Sequence, residues 1–306
     1  MNKARLRYLI LAMRPATLMV GLSPVFLGSF LGMRSVLDRG NELNASHAFL
    51  VTLAVLLVIL MQSAANLVND VKDHEKGADG DDRVGPTRVV SSGLLAKDTV
   101  VFTYRLFFAL ALMISVGLAF YGGVQTIVLG LVCCVFAFLY TGGPFPLAYI
   151  GLGELVAFIF FGPIAVGGSA FLQTLTWDPF AIIVGFAPGF LAAAVMGVNN
   201  YRDRQSDLAV GKKTLATRLR PDLAMAMPWG FVLAALAFLF APYLNAHVPA
   251  IPYNVLAVFV VLYVVSFFLI KRPLFARQGE ELNVVLKRIA LFELVYTFTL
   301  VGLIAA

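Results

Sequence analysis

The sequence predicts an all-α, polytopic membrane bundle of about nine transmembrane helices, two related four-helix halves plus one helix, in a single domain over 1–306. Three observations predict it. Hydrophobic residues make up 60% of the chain against 13% charged ones, and the mean hydropathy is +0.88, too apolar for a chain that covers itself with water-facing surface. Apolar runs of membrane-spanning length recur from end to end. Two hydrophilic loops open with the same residue pattern, 130 residues apart, as internal repeats do.

The apolar runs place helices near 15–33, 47–70, 98–120, 123–141, 151–172, 178–201, 223–244, 250–270 and 284–305. Gly122-Gly123, Gly142-Gly143-Pro144, Gly151, Pro221 and Pro273 punctuate the joints. The basic stretch Met1 to Arg14 leads into the first span without a small-residue cleavage site, so that helix is expected to stay. Cys133 and Cys134 are adjacent in an apolar run, where a mutual disulfide is strained and metal-ligand spacing is absent; they read as packing residues.

An odd number of spans puts the termini on opposite sides, and the basic residues choose which. Twenty of the 23 Lys and Arg fall before the first span or in 71–97, 202–220 and 271–288. These segments share one predicted face, which the positive-inside rule makes cytoplasmic. The net charge of +6 then follows from orientation and anionic lipid, and no nucleic-acid partner is expected.

The loops 71–97 and 202–220 begin with Asn69-Asp70-Val71-Lys72-Asp73 and Asn199-Asn200-Tyr201-Arg202-Asp203. Spacing of three or four lets Asn66, Asn69, Asp70 and Asp73 converge on one helix face, and likewise Asn199, Asp203 and Asp207. Carboxylates at the carboxyl end of a helix oppose its dipole, so a cation is expected there. Oxygen ligands without His or Cys suit Mg²⁺, which shares its coordination with phosphate oxygens. Ordinary loop acids paired with nearby Lys and Arg would account for one Asp, but not for two clusters of the same form at two helix ends.

Lys72, Arg83, Arg88, Arg202, Lys212 and Lys213 complete the constellation as candidate phosphate ligands, with Arg88 the more specific because its fork matches phosphate geometry. Glu154, in Gly151-Leu152-Gly153-Glu154, is either a substrate ligand or base, or an acid made favourable by a helix N-terminus. No Walker pattern, nucleophile elbow or metal-binding His pair occurs.

These residues resemble the UbiA superfamily of intramembrane prenyltransferases, whose motifs are NxxxDxxxD after the second helix and DxxxD after the sixth. The second is present as Asp203 and Asp207, whereas the first has Asn69 and Asp73 but Gly77 in its third position. The likeness is closer to the 1,4-dihydroxy-2-naphthoate branch, through Asn66-Leu67-Val68-Asn69-Asp70, Asp82-Arg83-Val84-Gly85-Pro86-Thr87-Arg88, Tyr140-Thr141-Gly142-Gly143-Pro144, Gly151-Leu152-Gly153-Glu154 and Gly211-Lys212-Lys213-Thr214-Leu215. With Arg14-Pro15-Ala16-Thr17-Leu18 as a first-helix entry, it covers about 14–305 and rests mainly on hydropathy and helix count over 221–305.

The resemblance implies an Mg²⁺-dependent transfer of a polyprenyl group from its diphosphate to an aromatic acceptor, in the cell inner membrane. It implies Mg²⁺ held by Asp70, Asp73, Asp203 and Asp207, catalytic roles for Asp73, Asp203 and Asp207, and substrate contacts from Asn66, Asn69, Asn199, Tyr140 and the basic residues above. Aromatic faces, with Tyr140, Tyr149 and Tyr201 as candidates, would shelter an allylic cation. 4-Hydroxybenzoate is the alternative acceptor. A secondary transporter is the alternative of another class, but its acids belong inside the spans, and here they sit at helix ends.

Overall fold

The structure is a computed structural model, and it describes residues 3–77, 85, 87–244 and 252–305. Among these residues every regular element is helical: α1 (Lys3–Ala12), α2 (Pro15–Asp38), α3 (Ala45–Glu75), α4 (Lys97–Gly122), α5 (Val124–Leu139), α6 (Gly153–Thr174), α7 (Pro179–Arg202), α8 (Pro221–Phe240), α9 (Tyr253–Ala276) and α10 (Gly279–Ala305). Eight helices, α2 to α4 and α6 to α10, are long and apolar enough to cross a membrane. The remaining expected span is α5, whose 16 residues reach about 24 Å at 1.5 Å per residue.

The predicted glycine joints hold. Gly123, Gly143 and Gly151 have φ of 71°, 73° and 83°, a region closed to most side chains. Pro221 opens α8 at the first helical position, where a missing N–H costs nothing. Pro273 is a correction: it lies inside α9, which runs on to Ala276 through a π-helical turn at Phe267–Lys271. The Leu269 carbonyl, four residues earlier and so deprived of its helical donor, accepts from Arg288 Nη1 at 3.4 Å.

Small residues bring the backbones together, as lipid-embedded helices require in place of a hydrophobic drive. A Cβ at Gly28 would lie 2.1 Å from the Val166 carbonyl oxygen, and one at Gly32 would lie 2.7 Å from that of Ala170, so α2 and α6 touch backbone to backbone. Gly162, the kink in α6, meets Gly185 and Gly189 of α7 in the same way. Leu191, Val198, Val232, Leu236, Ile289 and Phe292 form the buried core between α7, α8 and α10. Phe102, Phe120 and Phe298 are exposed on the outer faces, as a lipid surround allows.

Side chains tie the two ends together. At one end Asn66 Nδ2 donates to the Met13 carbonyl at 3.0 Å and Gln62 Nε2 to that of Thr17 at 2.7 Å, fixing the α1–α2 joint against α3. At the other, Arg34 Nη1 reaches the Ala305 carbonyl at 3.4 Å. The start of α2 and the end of α10 thus lie at opposite ends of the bundle.

Candidate active site

The carboxyl ends of α3 and α7 open onto one cavity of about 360 Å³. Its polar mouth carries Asn66, Asn69, Asp73 and Arg88 from the first patch and Asn199, Asp203, Asp207 and Lys212 from the second. The expectation that two helix ends face one site is met in this geometry. The loop after the second patch is tied to the α5–α6 connection, since the Lys213 N–H donates to the Tyr149 carbonyl at 2.9 Å.

In the first patch α3 continues helically through Glu75, which keeps Asn66, Asn69 and Asp73 on one stripe. Arg88 returns to that stripe from the loop, donating from Nη2 to Asn69 Oδ1 at 2.9 Å and Asp73 Oδ2 at 2.6 Å, with both ion-pair side chains buried. Tyr149 donates its hydroxyl to Asp73 Oδ1 at 2.9 Å. Lys76 and Lys212 stand over the Tyr149 ring, at 4.1 and 5.0 Å from its centroid, close enough for cation–π attraction.

Asp70 departs from the metal role expected of it. Its two oxygens accept the backbone N–H groups of Val90 and Val89 at 3.0 and 3.1 Å, and it is 2% exposed and turned off the cavity wall. It clamps the turn that delivers Arg88, which is how a carboxylate meets loop donors that have no helical partner.

The second patch is not one continuous helix. α7 ends at Arg202, Asp203 is its cap, and Asp207 lies in the separate short helix Arg204–Ala209. Arg202 is buried behind the wall: its fork grips both Asp203 oxygens at 2.7 and 2.6 Å, while its remaining donors hold Asn199 and Asn283. Lys212 pairs with Asp207 Oδ1 at 3.2 Å, and Asp207 Oδ2 is buried without a partner. Burial pushes the Asp207 carboxyl up to about 6 against the pull of Lys212, and the nearby Asp203 and Asp73 charges add to the rise.

The other expected site residues divide. Tyr140 lines the cavity and donates its hydroxyl to Met196 Sδ at 2.9 Å. Glu154 lies behind the wall, 2% exposed, holding cavity-lining Asn200 through its Oε1 at 2.9 Å. Lys72 is off the cavity, paired with Glu75 at 2.7 Å, and the Lys213 side chain is off it too. Arg83 lies outside the described residues. Among the tyrosines expected to shelter a cation, Tyr201 packs at the edge of the core instead.

The cavity also recruits Arg14, Gln62, Asn200, Ser206 and Lys287, which motif reading left out. Lys287 had a periodic signal: it follows Asn283 by four and precedes Ala290 by three, one face of α10. Below the mouth the wall turns apolar and includes Phe136, Phe160 and Phe161, the first two rings 5.0 Å apart.

Residues 21–280 match the sequence profile of the UbiA prenyltransferase family. The chain belongs to the UbiA prenyltransferase family. Among curated relatives, the Haemophilus influenzae 1,4-dihydroxy-2-naphthoate octaprenyltransferase is 35% identical over 218 residues, 67% of each chain. The enzyme of the same name from Mycobacterium tuberculosis is 35% identical over 206 residues, 67% of this chain and 68% of that one. The fold resembles a UbiA homologue from Aeropyrum pernix, with a TM-score of 0.67 at 15% identity over 94% of this chain and 98% of the other. It also resembles a homologue from Archaeoglobus fulgidus bound to DMAPP and Mg²⁺, with a TM-score of 0.62 at 16% identity over 96% and 99%. The protein is therefore a multi-pass membrane prenyltransferase, as its motifs indicated.

Proposed function

We propose that this UbiA-family enzyme transfers a polyprenyl group from its diphosphate to 1,4-dihydroxy-2-naphthoate, with loss of carbon dioxide, giving demethylmenaquinol, the reduced form of the demethylmenaquinone of menaquinone synthesis. The observation that carries the reaction type is the meeting of Asp73, Asp203 and Asp207 at the polar mouth of a cavity whose deeper wall is apolar. The choice of acceptor rests on the relatives' names. The polar mouth faces the cytoplasm from the inner membrane, by the positive-inside bias of its basic loops.

The donor set fits Mg²⁺. Asp207 offers a buried oxygen without a partner at the cavity mouth. Asp73, Asp203 and Asp207 line one cavity mouth and would hold Mg²⁺ jointly with phosphate oxygens. When bound, Mg²⁺ supplies charge neutralisation that makes the diphosphate a better leaving group.

The protein's own groups do the rest. Arg88 and Lys212, each anchored on an Asp, present positive charge to the diphosphate at the mouth. Arg202 and Tyr149 hold Asp203 and Asp73 in position. The C–O bond of the substrate breaks, and the diphosphate leaves with the electron pair. Phe136, Phe160 and Phe161 shelter the allylic cation by cation–π attraction and keep water from it. A ring carbon of the naphthoate closes the new C–C bond, and the ring carboxylate departs as carbon dioxide, returning its electron pair to the ring.

Purified protein with Mg²⁺, a polyprenyl diphosphate and either acceptor tests this reading. A prenylated naphthalene product with equimolar carbon dioxide is expected; product from 4-hydroxybenzoate alone would reassign the acceptor. Asp70→Ala separates loop clamp from metal ligand. It is expected to lower stability by about 3 kcal/mol through two lost charged hydrogen bonds, with the Mg²⁺ dependence of the rate unchanged. A shifted Mg²⁺ requirement at unaltered stability would return Asp70 to the metal.

A further inference from the structure

At the end of the bundle opposite the active-site mouth lies a second cavity, of about 340 Å³. The ends of α2, α4 and α6 and the start of α3 enclose it, and the α2–α3 joint crosses its rim. Buried Val36, His47 and Gln173 form its inner wall, and exposed Arg39, Glu42 and Tyr121 belong to the rim. It shares no lining residue with the active-site cavity.

The inner wall holds an amide that the fold leaves unmatched. Gln173 is 3% exposed, and neither its Oε1 nor its Nε2 has a hydrogen-bond partner among the described residues. Burying such a group is costly until donor and acceptor are both met. Its polar neighbours are already engaged: His47 Nδ1 accepts from the Asn44 N–H at 3.1 Å, and Thr174 Oγ1 donates to the Ala170 carbonyl at 3.2 Å. The rim carries both signs of charge, unjoined. Arg39 and Glu42 stand three residues apart on one cavity, yet among the described residues neither forms an ion pair. The Arg39 fork makes one long bond, from Nη2 to Thr176 Oγ1 at 3.5 Å. A ligand that carries an anion and an ammonium close together fits between them, and the Gln173 amide can donate to the first and accept from the second. Tyr121 on the rim and Trp177, two residues past Leu175, are exposed aromatics of the kind that mark the depth of lipid headgroups.

We propose that this second cavity binds the headgroup of an aminophospholipid, its phosphate on Arg39 and the Gln173 Nε2–H, its ammonium on Glu42 and Gln173 Oε1, and its acyl chains left in the surrounding lipid. The bound headgroup ties the α2–α3 joint to the ends of α4 and α6. The inference is independent of which acceptor or prenyl donor the active site takes.

The test is a titration of delipidated protein in detergent with dioleoyl phosphatidylethanolamine or dioleoyl phosphatidylglycerol, read by native mass spectrometry as the apparent Kd of the first lipid bound. Phosphatidylethanolamine is expected to bind at least about tenfold more tightly, the scale of one charge-assisted hydrogen bond. Glu42→Gln is expected to erase that preference. Gln173→Leu is expected to weaken phosphatidylethanolamine by about tenfold or more, while the lipid-free variant unfolds no earlier than the unaltered protein, because an apolar side chain then replaces an unmatched amide. Equal affinity for the two lipids in the unaltered protein, or phosphatidylethanolamine affinity unchanged in both variants, overturns the site. Glu42 is on the exposed rim, so Glu42→Gln decides even where Gln173→Leu does not fold. Glycerophosphoethanolamine and inorganic phosphate are the soluble controls: binding of either as tight as that of the lipid would make this a site for a free phosphate compound and overturn the lipid assignment.

Discussion

Asp73→Ala or Asp207→Ala is expected to lower kcat by about 10²–10³-fold, the scale of removing one preorganised charge-stabilising group, with the protein still inserted and folded. Each carboxylate belongs to a different patch and lines the same mouth, so each loss leaves the opposite patch intact. The two variants differ in what they expose. Asp73→Ala strips Arg88 of a buried 2.6 Å ion pair and deprives Tyr149 of its acceptor, so some stability goes with it. Asp207→Ala removes an oxygen that has no partner and one that has only Lys212, so activity should fall with a smaller thermal shift. Turnover and thermal unfolding measured on the same detergent preparations separate the two; near-normal turnover in both variants would take these residues out of the chemistry.

Gly28→Val is expected to be the most damaging change away from the mouth. The new Cβ would sit 2.1 Å from the Val166 carbonyl oxygen, which is backbone and cannot swing aside, so α2 must part from α6. The loss should be at least about 3 kcal/mol, the upper range for overpacking a tight contact. Because α2 carries Arg14, Thr17, Val20 and Val25 to the cavity wall, activity should fall with stability. Gly302→Ala, in a helix with open space at its Cβ, is the control and should unfold like the unaltered protein. Equal unfolding temperatures for Gly28→Val and the unaltered protein would mean that α2 and α6 do not meet this closely.

The spans were legible because lipid imposes a composition that survives averaging over 20-odd residues. The acid pairs were legible because carboxylates at helix ends oppose the dipole. What composition and spacing do not carry is the rotation of each helix about its own axis. Asn69 and Asp70 are neighbours, yet one residue turns the side chain by about 100°, enough to put Asn69 on the cavity and Asp70 against the loop. Lys72 and Arg202 lie off the cavity for the same reason: one faces Glu75 and the other backs Asp203. With 26 Phe in the chain, no pattern could single out Phe136, Phe160 and Phe161. Pro273 misled because its effect on the helix is compensated from a distant segment, by Arg288.

The central claim is that one diphosphate and its cation are shared between Asp73 at the end of α3 and Asp203 and Asp207 after α7. Mn²⁺, as a stand-in for Mg²⁺, titrated by electron paramagnetic resonance with and without an unreactive prenyl diphosphate analogue, tests it most directly. The predicted result is weak binding of Mn²⁺ alone and tight binding with the analogue, weakening below about pH 6 as Asp207 takes up a proton and lost in both Asp73→Ala and Asp207→Ala. Tight Mn²⁺ binding without the analogue, or binding that survives loss of either patch, would contradict it.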